Sequence, residues 1–137
     1  MAIITKRTCF FPLFFIIFFI VGCGQPPLKG NVTFEDGSPL TSGMVVFDNG
    51  ASMSRAPIQS DGTFIVGTNK EKDGISPGTY RVYITGAIEM LDNPSGRFPA
   101  PSRPLIHSKY SSADTSGLSV TIDKSMSEWN ITVEPPK

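Results

Sequence analysis

Two alternating runs, each introduced by a turn, set the period of this chain. Residues 58–84 read IQSDGTFIVGTNKEKDGISPGTYRVYI, with Asp61-Gly62 before the first run and Pro77-Gly78 before the second. Glycine reaches positive φ without a steric penalty and Pro77 presets the first central position of a turn, so a strand is expected after each. After the second turn Tyr80, Val82 and Ile84 alternate with Arg81, Tyr83 and Thr85, the period of a strand with one buried and one wet face. The same alternation places Val32 and Phe34 inward within residues 30–35, and Val45 and Phe47 inward within residues 43–48. Each run is closed by a tight-turn dipeptide, Asp36-Gly37 or Asn49-Gly50. Residues 52–59 hold a short strand that Pro57, lacking a ladder donor, places at an edge or near its own end. Residues 63–66 and 79–85 give the fourth and fifth strands, joined by the polar loop 68–74. Leu118, Val120 and Ile122 mark the sixth, and Trp129, Ile131 and Val133 the seventh, with Trp129 facing inward. No stretch after residue 23 sustains a 3.6-residue apolar period. Seven short strands with frequent turn signals predict an all-β chain, a seven-stranded antiparallel sandwich with Greek-key connections.

One segment breaks the rhythm. Residues 89–109 contain Pro94, Pro99, Pro101 and Pro104, which exclude a sustained helix or a central strand, so a Pro-rich excursion from the sandwich is expected. Loops on rigid scaffolds carry function, and this one is longer than a hairpin connection needs. Arg97, Phe98 and Arg103 are its candidate partner-binding residues, a cationic and aromatic set suited to an anionic partner. Tyr110, just beyond, is a fourth candidate, with a packing role for its phenol ring as the competing reading.

The 137 residues leave room for one domain, and the first 22 read as a targeting segment. Lys6 and Arg7 precede an apolar run at residues 10–21, interrupted by Pro12 and short of the roughly 20 residues that span a bilayer. The run ends in Ile20-Val21-Gly22-Cys23, which resembles the bacterial lipobox cut by lipoprotein signal peptidase. That resemblance implies a mature chain beginning at a lipid-modified Cys23, tethered through residues 23–27 to a domain at 28–137. It implies a membrane lipid as partner through acylated Cys23. Five residues reach at most about 18 Å, which keeps the domain close to the headgroups. Gly24, where a retention signal of enteric lipoproteins has aspartate, points to the outer membrane. Cys9 leaves with the targeting segment, so no disulfide or free thiolate is expected in the domain. Two of the 12 basic residues leave as well, against 12 acidic ones that stay, and no block of positive charge remains for nucleic acid.

The succession Gly30-Asn-Val32-Thr-Phe34, Asp36-Gly37-Ser-Pro39-Leu40, Gly43-x-Val45-x-Phe47, Ser60-Asp61-Gly62-Thr-Phe64 and Pro77-Gly78-Thr-Tyr80 resembles the carboxypeptidase regulatory-like domain. The resemblance covers residues 28–133 and implies the transthyretin-like, or prealbumin-like, sandwich. The stretch Lys109-Tyr110-Ser-Ser-Ala-Asp-Thr-Ser116-Gly117-Leu118 is similar to small bacterial lipoproteins that join this domain to a lipobox. Those proteins often carry proline at the position of His107.

Candidate chemistry is sparse. A single histidine, His107, excludes a His-based metal cluster and leaves a Ser-His-Asp nucleophile only one place to form. Hydroxyisourate hydrolases share the implied fold but use several histidines and end in Tyr-Arg-Gly-Ser, whereas this chain ends in Val133-Glu-Pro-Pro-Lys137. Asp36 and Asp61 sit in turns, where aspartate bonds the backbone, and no spaced Asp/Asn series for calcium occurs. The expectation is a non-enzymatic, lipid-anchored envelope module without cofactor or metal, whose partner is an envelope protein or anionic glycan. Glycan recognition at the cell surface is the alternative, and a small hydrolase stands behind both.

Overall fold

The computed structural model describes residues 27–67 and 74–137. The targeting segment, Cys23 and the tether as far as Pro26 lie outside the described residues, as do residues 68–73 of the polar loop. The described chain is all-β apart from one 3₁₀ turn, Ser108–Ser111. No helix among the described residues is long and apolar enough to cross a membrane.

Nine strands form in chain order: β1 Lys29–Phe34, β2 Met44–Asp48, β3 Met53–Pro57, β4 Thr63–Ile65, β5 Gly78–Thr85, β6 Ile88–Met90, β7 Ser102–Pro104, β8 Leu118–Ile122 and β9 Ile131–Val133. One sheet has the order β4-β1-β9, the second β3-β2-β5-β8, and β6 pairs with β7 alone. The alternation seen in the sequence becomes the inside-outside pattern of these strands. Tyr80, Val82 and Ile84 of β5 are buried, with Arg81 and Thr85 exposed between and beyond them. Val45 and Phe47 of β2 are buried, as are Val32 of β1 and Phe64 of β4. The two larger sheets share this core, as in a β-sandwich. The Phe47 ring of one sheet lies 6.2 Å from Phe64 of the other and 6.4 Å from Tyr80, the latter edge-on, the geometry that aromatic quadrupoles favour.

Turn chemistry fixes the registers. Asp61 accepts from the backbone and hydroxyl of Thr63, and Gly62 follows at φ 84°, in a space where a Cβ would lie 2.8 Å from both Pro39 and the Val32 carbonyl. Gly30 sits under a still closer approach, since a Cβ there would fall 1.9 Å from the Trp129 carbonyl. That closeness reflects the departure from an all-antiparallel sandwich: β1 and β9 run parallel, Val32 beside Ile131 and Phe34 beside Val133. Trp129 precedes β9 instead of lying within it, and is only half-buried, its ring 5.9 Å from Phe47. β3 is an edge strand as Pro57 requires, and its outer side is closed by the reciprocal bonds of Arg55 and Gly67.

The excursion departs from expectation by folding. β6 and β7 pair antiparallel with Ile88 opposite Pro104, Glu89 opposite Arg103 and Met90 opposite Ser102, which raises the described strands from seven to nine. Tyr110 is likewise in the 3₁₀ turn and not in a strand.

The strand directions give the molecule two distinct ends. β1 starts at Lys29, opposite Ile65 of β4, and finishes at Phe34 beside Val133. The hairpin leaves from the Phe34 end, where Leu105 N donates to Ala87 O and His107 N to Glu134 O. Leu28, through which the chain connects to Cys23, is at the opposite end.

Candidate functional site

The hairpin is exposed on both faces. All six residues of β6 and β7 are exposed, and the fold beyond its base holds it by the Ser42 hydroxyl, which donates to Ile88 O at 3.1 Å. Its prolines fit because β7 has no second neighbour. Pro104 lies at a position between the bonded pairs, where a nitrogen faces outward and no donor is missed.

Asn93 organises the tip. Its side-chain amide donates to Arg97 O at 2.8 Å, while its Oδ1 accepts from Arg97 N at 3.3 Å and from the Ser95 hydroxyl at 3.1 Å. Gly96 N closes a tight turn onto Asn93 O at 3.1 Å. The loop therefore reads as a built turn, and what it presents is Arg97-Phe98. Phe98 is 95% exposed, an aromatic ring set in water with little packing of its own. Met90 is 62% exposed, and Ile88 and Leu91 are also largely in solvent. Four of the five exposed large apolar side chains among the described residues belong to this one segment. Singly exposed apolar residues are ordinary; four on one protruding element set it apart from the rest of the described surface.

The four residues singled out in the sequence separate into two places. Arg97 and Phe98 are adjacent at the tip. Arg103 lies on β7, away from the tip, and forms an exposed ion pair with Glu89, its cross-strand neighbour. Tyr110 is 5% exposed and belongs to the core beneath the hairpin's base, its hydroxyl accepting from Glu134 N at 3.3 Å. Lys109 lies over the Tyr110 ring at 4.9 Å and pairs with Glu134. Their hydrogen bond holds the Glu134 carboxyl below the usual range and raises Lys109. This cluster clamps the end of the chain onto the 3₁₀ turn; it is a joint, with the phenol ring inside it. His107 caps the same turn, its Nδ1 accepting from Lys109 N at 3.1 Å. Among the described residues no group of three or more His, Cys, Asp or Glu side chains is placed to hold a metal ion.

Beside the hairpin's base lies a cleft of about 400 Å³, lined by Phe34, Leu105 and Pro135 with Glu35, Asp36 and Ser38 on its rim. The sequence reading did not single out this cleft, nor Asn93 and the apolar residues of β6. Ile88-Glu89-Met90 does alternate, which was the available signal for a strand. Glu35 and Asp36 look like ordinary turn residues until β9 brings Pro135 across from them.

No family model, curated protein or solved structure matches this chain.

Proposed function

We propose that this protein is a non-enzymatic, lipid-anchored module of the bacterial cell envelope, a transthyretin-like Greek-key sandwich that makes its contacts through the β6–β7 hairpin. Supporting the sandwich part of that reading are the seven strands of the two larger sheets, beside which the hairpin stands as an addition. The observation that carries the functional part is the tip: a rigid turn displaying Arg97 and an almost fully exposed Phe98. A turn whose backbone is already held by hydrogen bonds has less to lose on binding, and an aromatic side chain displayed on it is the kind of residue that contributes strongly to an interface. A partner suited to it presents an apolar pocket with a negative rim.

The anchor reading is supported by Lys6-Arg7, the apolar run and Ile20-Val21-Gly22-Cys23. Combined with the two ends of the fold, it gives the module a direction. Cys23 is a few residues from Leu28, and the hairpin leaves from the opposite end of the fold, so its root stands apart from the anchor. Membrane lipid is then the partner of Cys23 alone, and the tip is left for a different partner.

Metabolic labelling with an alkyne fatty acid tests the anchor. The wild-type chain is expected to take the label and Cys23→Ser to lose it, because the attachment chemistry requires a thiol; label on the Ser variant defeats the assignment. In a separate arm, an Arg97→Ala, Phe98→Ala variant that keeps its circular dichroism is expected to lose the crosslinks made by the wild type in intact envelopes. Unchanged crosslinks from that variant remove the hairpin from the proposal while leaving the anchor standing.

A further inference from the structure

We infer that the partner of the hairpin tip is a second copy of this chain, and that two copies exchange hairpins, each placing Arg97 and Phe98 in the other's cleft beside Phe34, Leu105 and Pro135. The inference rests on the reading of the hairpin as the contact element and is independent of the lipid anchor.

Three observations select this occupant. The chemistry matches on both sides: Phe98 is an apolar ring without a packing partner, and the cleft has an aromatic, an aliphatic and a proline wall. Arg97 is next to Phe98, and Glu35 and Asp36 stand on the cleft's rim. Its volume of about 400 Å³ lies in the range of sites that take a small ligand, room enough for one aromatic side chain.

The geometry favours exchange over self-insertion. Leu105 follows β7 directly, so the cleft lies at the root of the same hairpin whose tip carries Phe98. Three residues of strand separate root from tip, about 10 Å of rise, and the paired strands cannot fold back on themselves. Two hairpins laid side by side in opposite directions bring each tip to the other's root. That arrangement is two-fold, uses one surface on both copies and closes on itself. Met90, which ends β6 between root and tip, would then lie near the axis.

The hairpin has apolar side chains to bury in such a contact: Phe98 at the tip is 95% exposed, and Ile88 and Met90, which share one face of β6, are exposed with it. A lipid surface fits less well. Glu89 and Asp92 balance Arg97 and Arg103, which leaves the hairpin without the excess of basic residues that anionic headgroups attract.

The test uses the full chain in detergent. Sedimentation should show a reversible dimer for the wild type. Arg97→Glu and Glu35→Lys should each weaken self-association roughly tenfold, because each sets like charges at both contacts. Mixing those two variants should restore wild-type affinity, since one contact then joins the two introduced charges, which are opposite in sign, and the other keeps Arg97 against Glu35. With benzoylphenylalanine at position 98 and one copy isotope-labelled, photo-crosslinks are expected on Phe34, Leu105 or Pro135 of the opposite copy. A wild type that stays monomeric at every attainable concentration overturns the inference. So do crosslinks confined to other residues, to detergent or to a different protein, even where that protein's capture keeps the hairpin as a contact element. Loss of fatty-acid label from the wild type leaves all these outcomes as they are.

Discussion

Three aspartates do the same work at three turns, and their carboxylates are tuned by it. Asp36, Asp61 and Asp123 each accept from the hydroxyl and backbone N–H of the residue two positions on, Ser38, Thr63 and Ser125. Those bonds, the hydroxyl first, hold all three below the usual carboxylate range. A carboxyl whose pKa is lower in the folded than in the unfolded chain contributes stability above its unfolded pKa, about 4 for Asp, and loses it as pH falls through the folded value. Stability should therefore be insensitive to these groups near neutrality and decline below about pH 4. Asparagine keeps the carbonyl acceptor without the charge, so a triple Asp36→Asn, Asp61→Asn, Asp123→Asn variant should decline less steeply there. Urea unfolding at a series of pH values measures the slope. Because all three groups are on the surface, solvent screens them and the expected difference is modest.

The elements of the sandwich were legible because their signal is local. A strand buried on one face must alternate, and Tyr80, Val82 and Ile84 could be assigned inward without knowing what they touch. Pairing partners are a different matter, since nothing in Ile131-Thr132-Val133 states that its neighbour is β1 or that the two run parallel. The hairpin was missed for another reason. Proline is a sound argument against a central strand, but β7 has a neighbour on one side only, and the rule does not apply to its free edge. Once the register is known, Arg103 leaves the candidate contact set because Glu89 lies opposite, and Tyr110 leaves it by burial. Asn93 takes on the importance that sequence assigned to the prolines. Asn93→Ala should loosen the tip without unfolding the domain, because the hairpin packs against little else. Hydrogen exchange should speed up at Arg97 and Gly96, whose amides bond to Asn93, while the denaturation midpoint shifts by less than about 1 kcal/mol in equivalent stability. A large midpoint shift would mean that the tip is coupled to the core.

At the scale of the whole molecule, the first and last strands hold each other. Val32 and Val133 are fully buried, Ile131 nearly so, and Asn31 N donates to the Asn130 side chain at 3.0 Å across 99 residues of sequence. Removing residues 131–137 deletes two core side chains and strips one edge of β1. Losses of roughly 2–5 kcal/mol for each such core residue exceed what a small domain can absorb. The truncated chain should show no cooperative urea transition, and a surviving one would show that β4 and β1 suffice as a sheet. The same pairing bears on how the chain would travel. A polypeptide exported from its N-terminus delivers β1 early and β9 last, and closing a loop of that length is slow as well as entropically costly. The sheet that contains β1 therefore stays open until β9 has been made, and under the export reading proposed above that delay would leave the chain unfolded for its passage.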